Sequence, residues 1–175
     1  MLKSLKKLFF DPSMQKRKAF LRSLVLFKDL RDRELGYLAQ SLHARTYHAG
    51  EVIFLEGDIG RALFIIESGK VELTRMGDDG KPVHVYTAQP GEFFGEMALL
   101  EQLPRTASAA AGERAHLYLL YRSKLESLLS QHPRIGASIM AHLAQLLSAR
   151  LRRATTRPVS APPLADPLNG EALKA

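Results

Sequence analysis

The spacing of apolar residues changes twice along the chain, from helical to strand-like and back to helical. Up to residue 43, the stretches MLKSLKKLFF, MQKRKAFLRSLVLF and RDRELGYLAQSLH read as short helices, which we expect to be peripheral. From residue 44 to 121, runs of about five to seven apolar or β-branched residues alternate with glycine turns. KVELTR and PVHVYT have a period of two, and GDDGKP between them is typical of a hairpin turn. This middle region predicts an all-β sandwich or roll.

Helical spacing returns after residue 121. The segment RSKLESLLSQH predicts a helix with three buried leucines, Leu125, Leu128 and Leu129. Pro133 suits the first turn of a further helix that runs to about Ala154. Its apolar stripe is too wide for one narrow contact and consists of Ile135, Ile139, Met140, Leu143, Leu146, Leu147 and Leu151. We expect part of this stripe to face the roll and part to face a second copy of the chain.

These patterns predict a mainly β fold with flanking helices, a jelly-roll-like β-roll preceded and followed by helical segments. We divide the chain into four segments: a basic helical segment (1–43), the β-roll (44–121), two C-terminal helices (122–155) and a tail (156–175). The tail contains four prolines and few charges, which is typical of a linker or a disordered end.

The net charge of +7 is concentrated at the N-terminus. Residues 1–33 hold ten Lys or Arg and three Asp, a net of +7, whereas residues 34–149 hold ten basic and thirteen acidic residues, a net of −3. An anion bound by the roll therefore needs local donors. The basic N-terminus has three interpretations: packing on the roll, peripheral contact with an anionic membrane surface, or contact with nucleic acid.

The absence of several sequence features excludes some classes of protein and of site. There is no cysteine, which excludes disulfides and thiolate metal sites, and no apolar run reaches the roughly 18 residues of a membrane-spanning helix. The six histidines form no HxxxH or HExxH pair, and no GxSxG nucleophile elbow occurs. We expect a cytoplasmic protein without a metal site, a cofactor or catalytic residues.

The stretch GEFFGEMALLEQLPRTASA, residues 91–109, carries the candidate chemistry. Gly95 permits an unusual backbone turn before EMALL, which is enough for one helical turn with N–H groups that suit a phosphate. Glu96 accepts hydrogen bonds from a hydroxyl pair such as a ribose edge, and Arg105 matches phosphate oxygens. Thr106 adds a hydroxyl donor. A nucleotide held in a β-roll pocket is one interpretation, and an internal Glu96–Arg105 ion pair that braces a loop is the other.

FGEMALLEQLPRTASA resembles the phosphate-binding cassette of the cyclic nucleotide-binding domain family. YHAGEVIFLEGDIGRALFIIESGKVEL is similar to the early strands of that roll, and the resemblance covers about residues 25–155. It implies that Glu96 binds the ribose 2′-hydroxyl and Arg105 the cyclic phosphate, assisted by backbone amides near Ala98 and by Thr106. The predicted ligand-binding residues are Phe94, Gly95, Glu96, Met97, Ala98, Leu99, Arg105, Thr106, Ala107 and Arg150.

Two departures from the family pattern affect ligand recognition. Where some members place a Thr–Ser pair on the C helix against adenine, a gap-free count arrives at Arg150 and Leu151. A guanidinium stacked on the purine, from Arg150 or its neighbours Arg152 and Arg153, is the expected replacement. Thr106 is compatible with cAMP and with cGMP, and we expect cAMP first.

Only about twenty residues follow the C helix, so we expect no helix-turn-helix DNA-binding domain. The resemblance then implies a stand-alone sensor that binds a cyclic nucleotide and signals to an unknown protein effector by moving its C-terminal helices. A homodimer through the C helix is the alternative to packing of that helix on its own roll alone. A roll that has lost ligand binding and serves as an interaction scaffold is the competing interpretation of the whole chain.

Overall fold

The computed structural model describes residues 12–155, apart from the side chains of residues 153 and 154. The predicted helix over residues 1–10 and the proline-rich tail (156–175) therefore lie outside the described residues. In chain order the helices are α1 (Pro12–Ser23), α2 (Asp32–Ser41), α3 (Met97–Leu100), α4 (Arg122–Gln131) and α5 (Pro133–Thr155). The strands are β1 (His43–Tyr47), β2 (Val52–Phe54), β3 (Ala62–Ser68), β4 (Val71–Met76), β5 (Pro82–Ala88), β6 (Phe93–Phe94), β7 (Ser108–Ala111) and β8 (Ala115–Tyr121).

The strands form two four-stranded antiparallel sheets, which confirms the predicted β-roll with flanking helices. The first sheet has the order β1-β8-β3-β6 and the second the order β2-β7-β4-β5. β4 and β5 pair as a hairpin in which Met76 opposes Pro82, so the intervening GDDGK stretch is the predicted turn. Because β6 lies beside β3 in the first sheet, the cassette that follows β6 leaves from the edge of that sheet.

The central strands of the first sheet are buried on both faces, whereas β1 at its edge is largely exposed. In β3, Phe64 and Ile66 belong to the apolar interior of the roll, whereas Leu63 and Ile65 belong to a second apolar cluster on the outer face. Side chains alternate between the two faces of a strand, so the unbroken apolar run ALFII places residues in both clusters. The outer face of this sheet must therefore be covered by other elements.

The N-terminal helices supply part of this cover, and the expectation that they are peripheral is wrong. Leu21, Leu35 and Leu38 are fully buried in the cluster that contains Leu63 and Ile65. The predicted second helix is also shorter than its apolar pattern suggests, because α1 ends at Ser23. Turns with successive i to i+3 hydrogen bonds follow from residue 21 to 30 and allow the leucines there to stay buried without helical spacing.

The C-terminal helices cover the rest of the outer face. Leu125 and Leu128 of α4 are buried as predicted, but Leu129 is 39% exposed, so that part of the prediction is wrong. Leu129 lies over the backbone of Gly136 in α5 at the surface, where a Cβ on the glycine would approach Leu129 Cγ to 2.7 Å. Within residues 12–155, no helix combines the length and the apolarity needed to cross a bilayer.

On α5, part of the wide apolar stripe packs on its own domain as predicted, while contact of another part with a second copy of the chain stays a prediction. Ile135, Ile139 and Leu143 are buried in the outer cluster, whereas Leu151 is 66% exposed. The first half of α5 therefore packs on its own domain, and the second half extends toward the cassette with one apolar side chain left in solvent.

Candidate functional site

The cassette begins with a reversal of the backbone at Gly95. Its φ of +73° lies in the left-handed region, which favours glycine, and it separates β6 from the single turn of α3. The Gly95 carbonyl accepts hydrogen bonds from the Ala98 N–H at 3.3 Å and from Arg105 Nη1 at 3.1 Å. This one carbonyl therefore connects the start of α3 to Arg105, the residue that is predicted to bind phosphate. The Ala98 amide, which the family resemblance offers to a phosphate, is engaged in this turn.

Arg105 is fixed by both its backbone and its side chain. Its N–H donates to the Asp58 carbonyl at 2.7 Å, and its carbonyl accepts from the Gly57 N–H at 2.9 Å. The guanidinium donates through Nη2 to the Ala62 carbonyl at 2.8 Å and lies over the Phe54 ring, 4.2 Å from its centroid. The side chain is thus preorganised by the β2–β3 turn and by β3, not by an acidic partner.

The guanidinium of Arg105 keeps capacity for an anion. Burial lowers the pKa of Arg105 from its usual value, and the negative charges of Glu96 and Asp58 act in the opposite direction. An arginine remains protonated at neutral pH under such perturbations. Only two of its five N–H donors are used by the carbonyls of Gly95 and Ala62 within the described residues. The remaining donors can serve phosphate oxygens.

Glu96 forms a buried ion pair with Arg150 of α5. Both side chains are almost completely excluded from solvent, at 2% and 6% exposure, and Arg150 Nη1 donates to Glu96 Oε1. Within residues 12–155, no ion pair joins Glu96 to Arg105, so the internal Glu96–Arg105 pair considered from the sequence is absent. The carboxylate instead connects the cassette to the C-terminal helix, 54 residues further along the chain.

A cavity of about 270 Å³ lies against the cassette. Seven of the ten predicted ligand residues line it: Gly95, Glu96, Met97, Ala98, Arg105, Thr106 and Ala107. The other three lie elsewhere. Phe94 points into the roll and stacks on Phe64 with ring centroids 5.2 Å apart, and Leu99 belongs to the outer apolar cluster. Arg150 reaches the site through Glu96 and does not line the cavity.

Six further residues line the cavity and are not among the predicted ligand-binding residues. They are Phe54, Gly60, Leu73, Glu101, Leu103 and Pro104. Gly60 was recognisable as a turn glycine but not as part of the site; a Cβ there would lie 2.7 Å from Ala98 Cβ. The close packing of the β2–β3 turn on α3 thus requires glycine. No local sequence signal identifies Phe54, because its role depends on the guanidinium that packs over it.

Arg152 donates to Ser148 Oγ at 2.7 Å on an exposed part of α5, and the side chain of Arg153 lies outside the described residues. Across the part of the chain that the structure describes, no three His, Asp or Glu side chains cluster in a way that could hold a metal ion. The chemistry of the site is therefore that of one buried carboxylate, one guanidinium and a largely apolar wall.

Comparison with known proteins defines the class. Residues 44–132 match the model of the cyclic nucleotide-binding domain, and the chain belongs to this family. It is 39% identical over 130 residues to the cyclic AMP receptor protein of Thermus thermophilus, an alignment that covers 74% of this chain and 58% of that protein. It is 32% identical over 127 residues to a cAMP-dependent protein kinase regulatory subunit of Yarrowia lipolytica, covering 71% of this chain and 33% of that one.

Solved structures agree with this assignment. The co-crystal structure of the regulatory domain of Toxoplasma gondii PKA with cAMP superposes with a TM-score of 0.66 at 26% identity, over 78% of this chain and 50% of that chain. The present chain thus spans about three fifths of the bacterial relative and a third of the fungal one. The relatives named here are receptors and regulatory subunits, not catalysts.

Proposed function

We propose that this chain is a cyclic nucleotide sensor that binds cAMP, with cGMP as the second candidate, and reports occupancy through its C-terminal helices. The observation that carries the proposal is the cavity of about 270 Å³ that both Glu96 and Arg105 line. Its volume is close to the lower end of the range of about 300–1,000 Å³ that is typical of small-molecule sites. The guanidinium of Arg105 can bind an anion there, and the carboxylate of Glu96 can accept a hydrogen bond from a hydroxyl group.

The chemistry of each group supports a distinct role. The partly used guanidinium of Arg105 offers N–H donors to a singly charged cyclic phosphate. An ionised carboxylate has about four acceptor sites, so Glu96 can retain Arg150 and still accept from a ribose hydroxyl. Thr106 is exposed at the cavity wall and is available to the ligand as a hydroxyl donor. We propose these as the binding residues of the site.

The ion pair supports a route from the site to α5. A ligand hydroxyl at Glu96 changes the electrostatic environment of Arg150, because both contact the same carboxylate. A second route runs through Leu99 of α3, which shares a buried cluster with Leu125 and Leu128 of α4. A ligand shifts such a helix only by its different affinity for two positions of that helix, so both contacts must differ between the two states.

The names of the relatives favour this proposal. The bacterial relative is a cyclic AMP receptor, the fungal one is a regulatory subunit, and the solved regulatory domain contains cAMP. They support a binding role in regulation and give no support to catalysis. The competing interpretation, a roll that has lost its ligand and acts as a scaffold, makes the opposite prediction for the experiment below.

Isothermal titration calorimetry with cAMP and with cGMP tests the binding step. We expect saturable binding, and we expect Arg105→Ala to weaken it by about 3 kcal/mol, roughly a hundredfold, because a buried anion loses its charged partner. Arg61→Ala is the matched control, since it removes the same charge from an exposed position outside the cavity lining. No heat with either nucleotide at millimolar concentration, from protein that remains folded, would contradict the proposal and support the scaffold.

Hydrogen–deuterium exchange with and without saturating cAMP tests the helix step. We expect the nucleotide to change the protection of α5 amides around Arg150, and we expect a smaller change in Arg150→Gln. If calorimetry shows binding while α5 exchanges identically in both states, the sensor mechanism is wrong although the site assignment stands.

A further inference from the structure

His142 of α5 lies between two hydrogen-bond acceptors. Its Nδ1 is 2.9 Å from the backbone carbonyl oxygen of Ser138, one turn earlier in the helix. Its Nε2 is 3.1 Å from Oδ2 of Asp29, in the connection between α1 and α2. The imidazole side chain is only 9% exposed. The ring therefore spans the contact between the C-terminal helix and the N-terminal part of the domain.

The two partners restrict the protonation state of the ring. A carbonyl oxygen can only accept, and an aspartate ionised at neutral pH can also only accept. A neutral imidazole carries one N–H and presents a lone pair at its other nitrogen, so it can satisfy one of these oxygens and is repelled by the other. We propose that His142 is a doubly protonated imidazolium that ties α5 to the α1–α2 connection, and that its deprotonation releases this tie.

Other charged residues lie near this contact. Lys28 and Arg31 are close to Asp29 in the sequence, and the carboxylate of Asp29 is the charge that contacts the ring. α4, which also packs on α5, carries Arg122, Lys124 and Glu126. Within residues 12–155, no hydrogen bond or ion pair connects the ring to these three side chains. Asp29 is thus the acidic partner of the ring in the described part of the chain.

A second ion pair between the same two parts of the domain provides an internal reference. Arg134 of α5 lies 3.0 Å, through Nε, from Oε1 of Glu34 in α2. Neither partner of that pair has an ordinary pKa between about 5 and 8, whereas histidine does. Of these two connections, only the one through His142 is expected to respond to pH near neutrality.

The ring nitrogens can be observed directly by NMR in ¹⁵N-histidine-labelled protein. At about pH 7 we expect imidazolium signals for His142 in the wild type, and the neutral Nδ1–H tautomer in Asp29→Asn, because an amide can donate to Nε2. Asp29 is exposed, at 65%, so this variant is expected to fold. A neutral ring in the wild type, or an imidazolium that persists unchanged in Asp29→Asn, would overturn the proposal.

The mechanical consequence is measured by hydrogen exchange of α5 amides at about pH 6 and about pH 8, corrected for intrinsic exchange rates. We expect the wild type to lose about tenfold in protection around residue 142 between the two conditions, and Asp29→Asn to lose much less. Arg134→Gln is the control, and its loss of protection should be the same at both pH values. If protection depends on pH equally in the wild type and in Asp29→Asn, the pH dependence does not come from the contact between His142 and Asp29. No nucleotide is needed for either measurement.

Discussion

Gly91 and Gly95 both adopt left-handed backbone conformations, but only Gly95 lies against the cassette arginine. Their φ values are +86° and +73°. A Cβ added to Gly91 would meet no atom within 4 Å, whereas one added to Gly95 would lie 2.5 Å from Arg105 Nη1 and 3.4 Å from the Ala62 carbonyl oxygen. Gly91→Ala therefore measures backbone strain alone, whereas Gly95→Ala measures backbone strain together with displacement of the Arg105 guanidinium.

The magnitudes follow from these contacts. Alanine at either position incurs about 1–2 kcal/mol for a left-handed conformation. At Gly95 the guanidinium must also move, and Nη1, the atom that the new methyl group would meet, loses its hydrogen bond to the Gly95 carbonyl. A hydrogen bond from a charged group contributes about 1.5–3 kcal/mol, and loss of one such bond brings the total for Gly95→Ala to about 2.5–5 kcal/mol. Gly91→Ala should stay at about 1–2 kcal/mol.

Urea denaturation of the variants measures this difference. We expect Gly95→Ala to unfold at lower urea than Gly91→Ala with an unchanged slope. In an Arg105→Ala background the additional loss at Gly95 should disappear, because the atom that the new methyl group displaces is gone. Equal destabilisation by the two single substitutions would refute the role of Arg105 as the close neighbour of Gly95. An excess at Gly95 that survives in the Arg105→Ala background would refute it as well.

Two further predictions concern the elements around the roll. Leu38→Ala should cost about 2–5 kcal/mol in the free energy of unfolding, because Leu38 is fully buried in the outer cluster, while Leu129→Ala, at 39% exposure, should cost less than about 1 kcal/mol; urea denaturation compares them. The pKa of Asp32 is lowered from 3.8, chiefly by the hydrogen bond from Lys18, so its contribution is present above that value and lost as pH falls through the lower folded value. Because Asp32 is exposed, Asp32→Asn should cost about 1 kcal/mol at neutral pH, and the difference from wild type should shrink as the pH falls below 3.8.

Local patterns predict the class of the fold, because apolar residues recur with different periods in strands and in helices. The short run ALFIIES lies between glycines and contains two isoleucines, which favours a strand, and the unbroken apolar part ALFII indicates burial on both faces. What covers the outer face is a tertiary question. The local pattern therefore predicts peripheral helices around Leu21 and Leu38, although both side chains complete the cluster on Leu63. The local sequence of a helix shows which face is apolar but does not show what that face packs against.

The sequence predicts the part of the site that a single segment supplies. It does not predict the part where distant segments of the chain meet. Glu96 and Arg105 lie in the same short cassette, so their chemistry could be interpreted together from the sequence. The partner of Glu96 depends on the path of α5, which returns to the cassette after 54 residues. Counting along the chain places Arg150 at the site but does not reveal its ion pair with Glu96, because the count contains no information about the direction of the side chain.

The separation of the two cassette charges, Glu96 and Arg105, also favours a ligand. A buried ion pair contributes little net stability, since desolvation offsets most of the attraction. Had Glu96 paired with Arg105, each would have neutralised the other and left little capacity for a ligand. Instead, backbone carbonyls hold Arg105, and Glu96 takes its cation from α5. Under the proposed function, this arrangement leaves Arg105 for the phosphate at the cavity wall and links Glu96, the proposed hydroxyl acceptor, to the C-terminal helix.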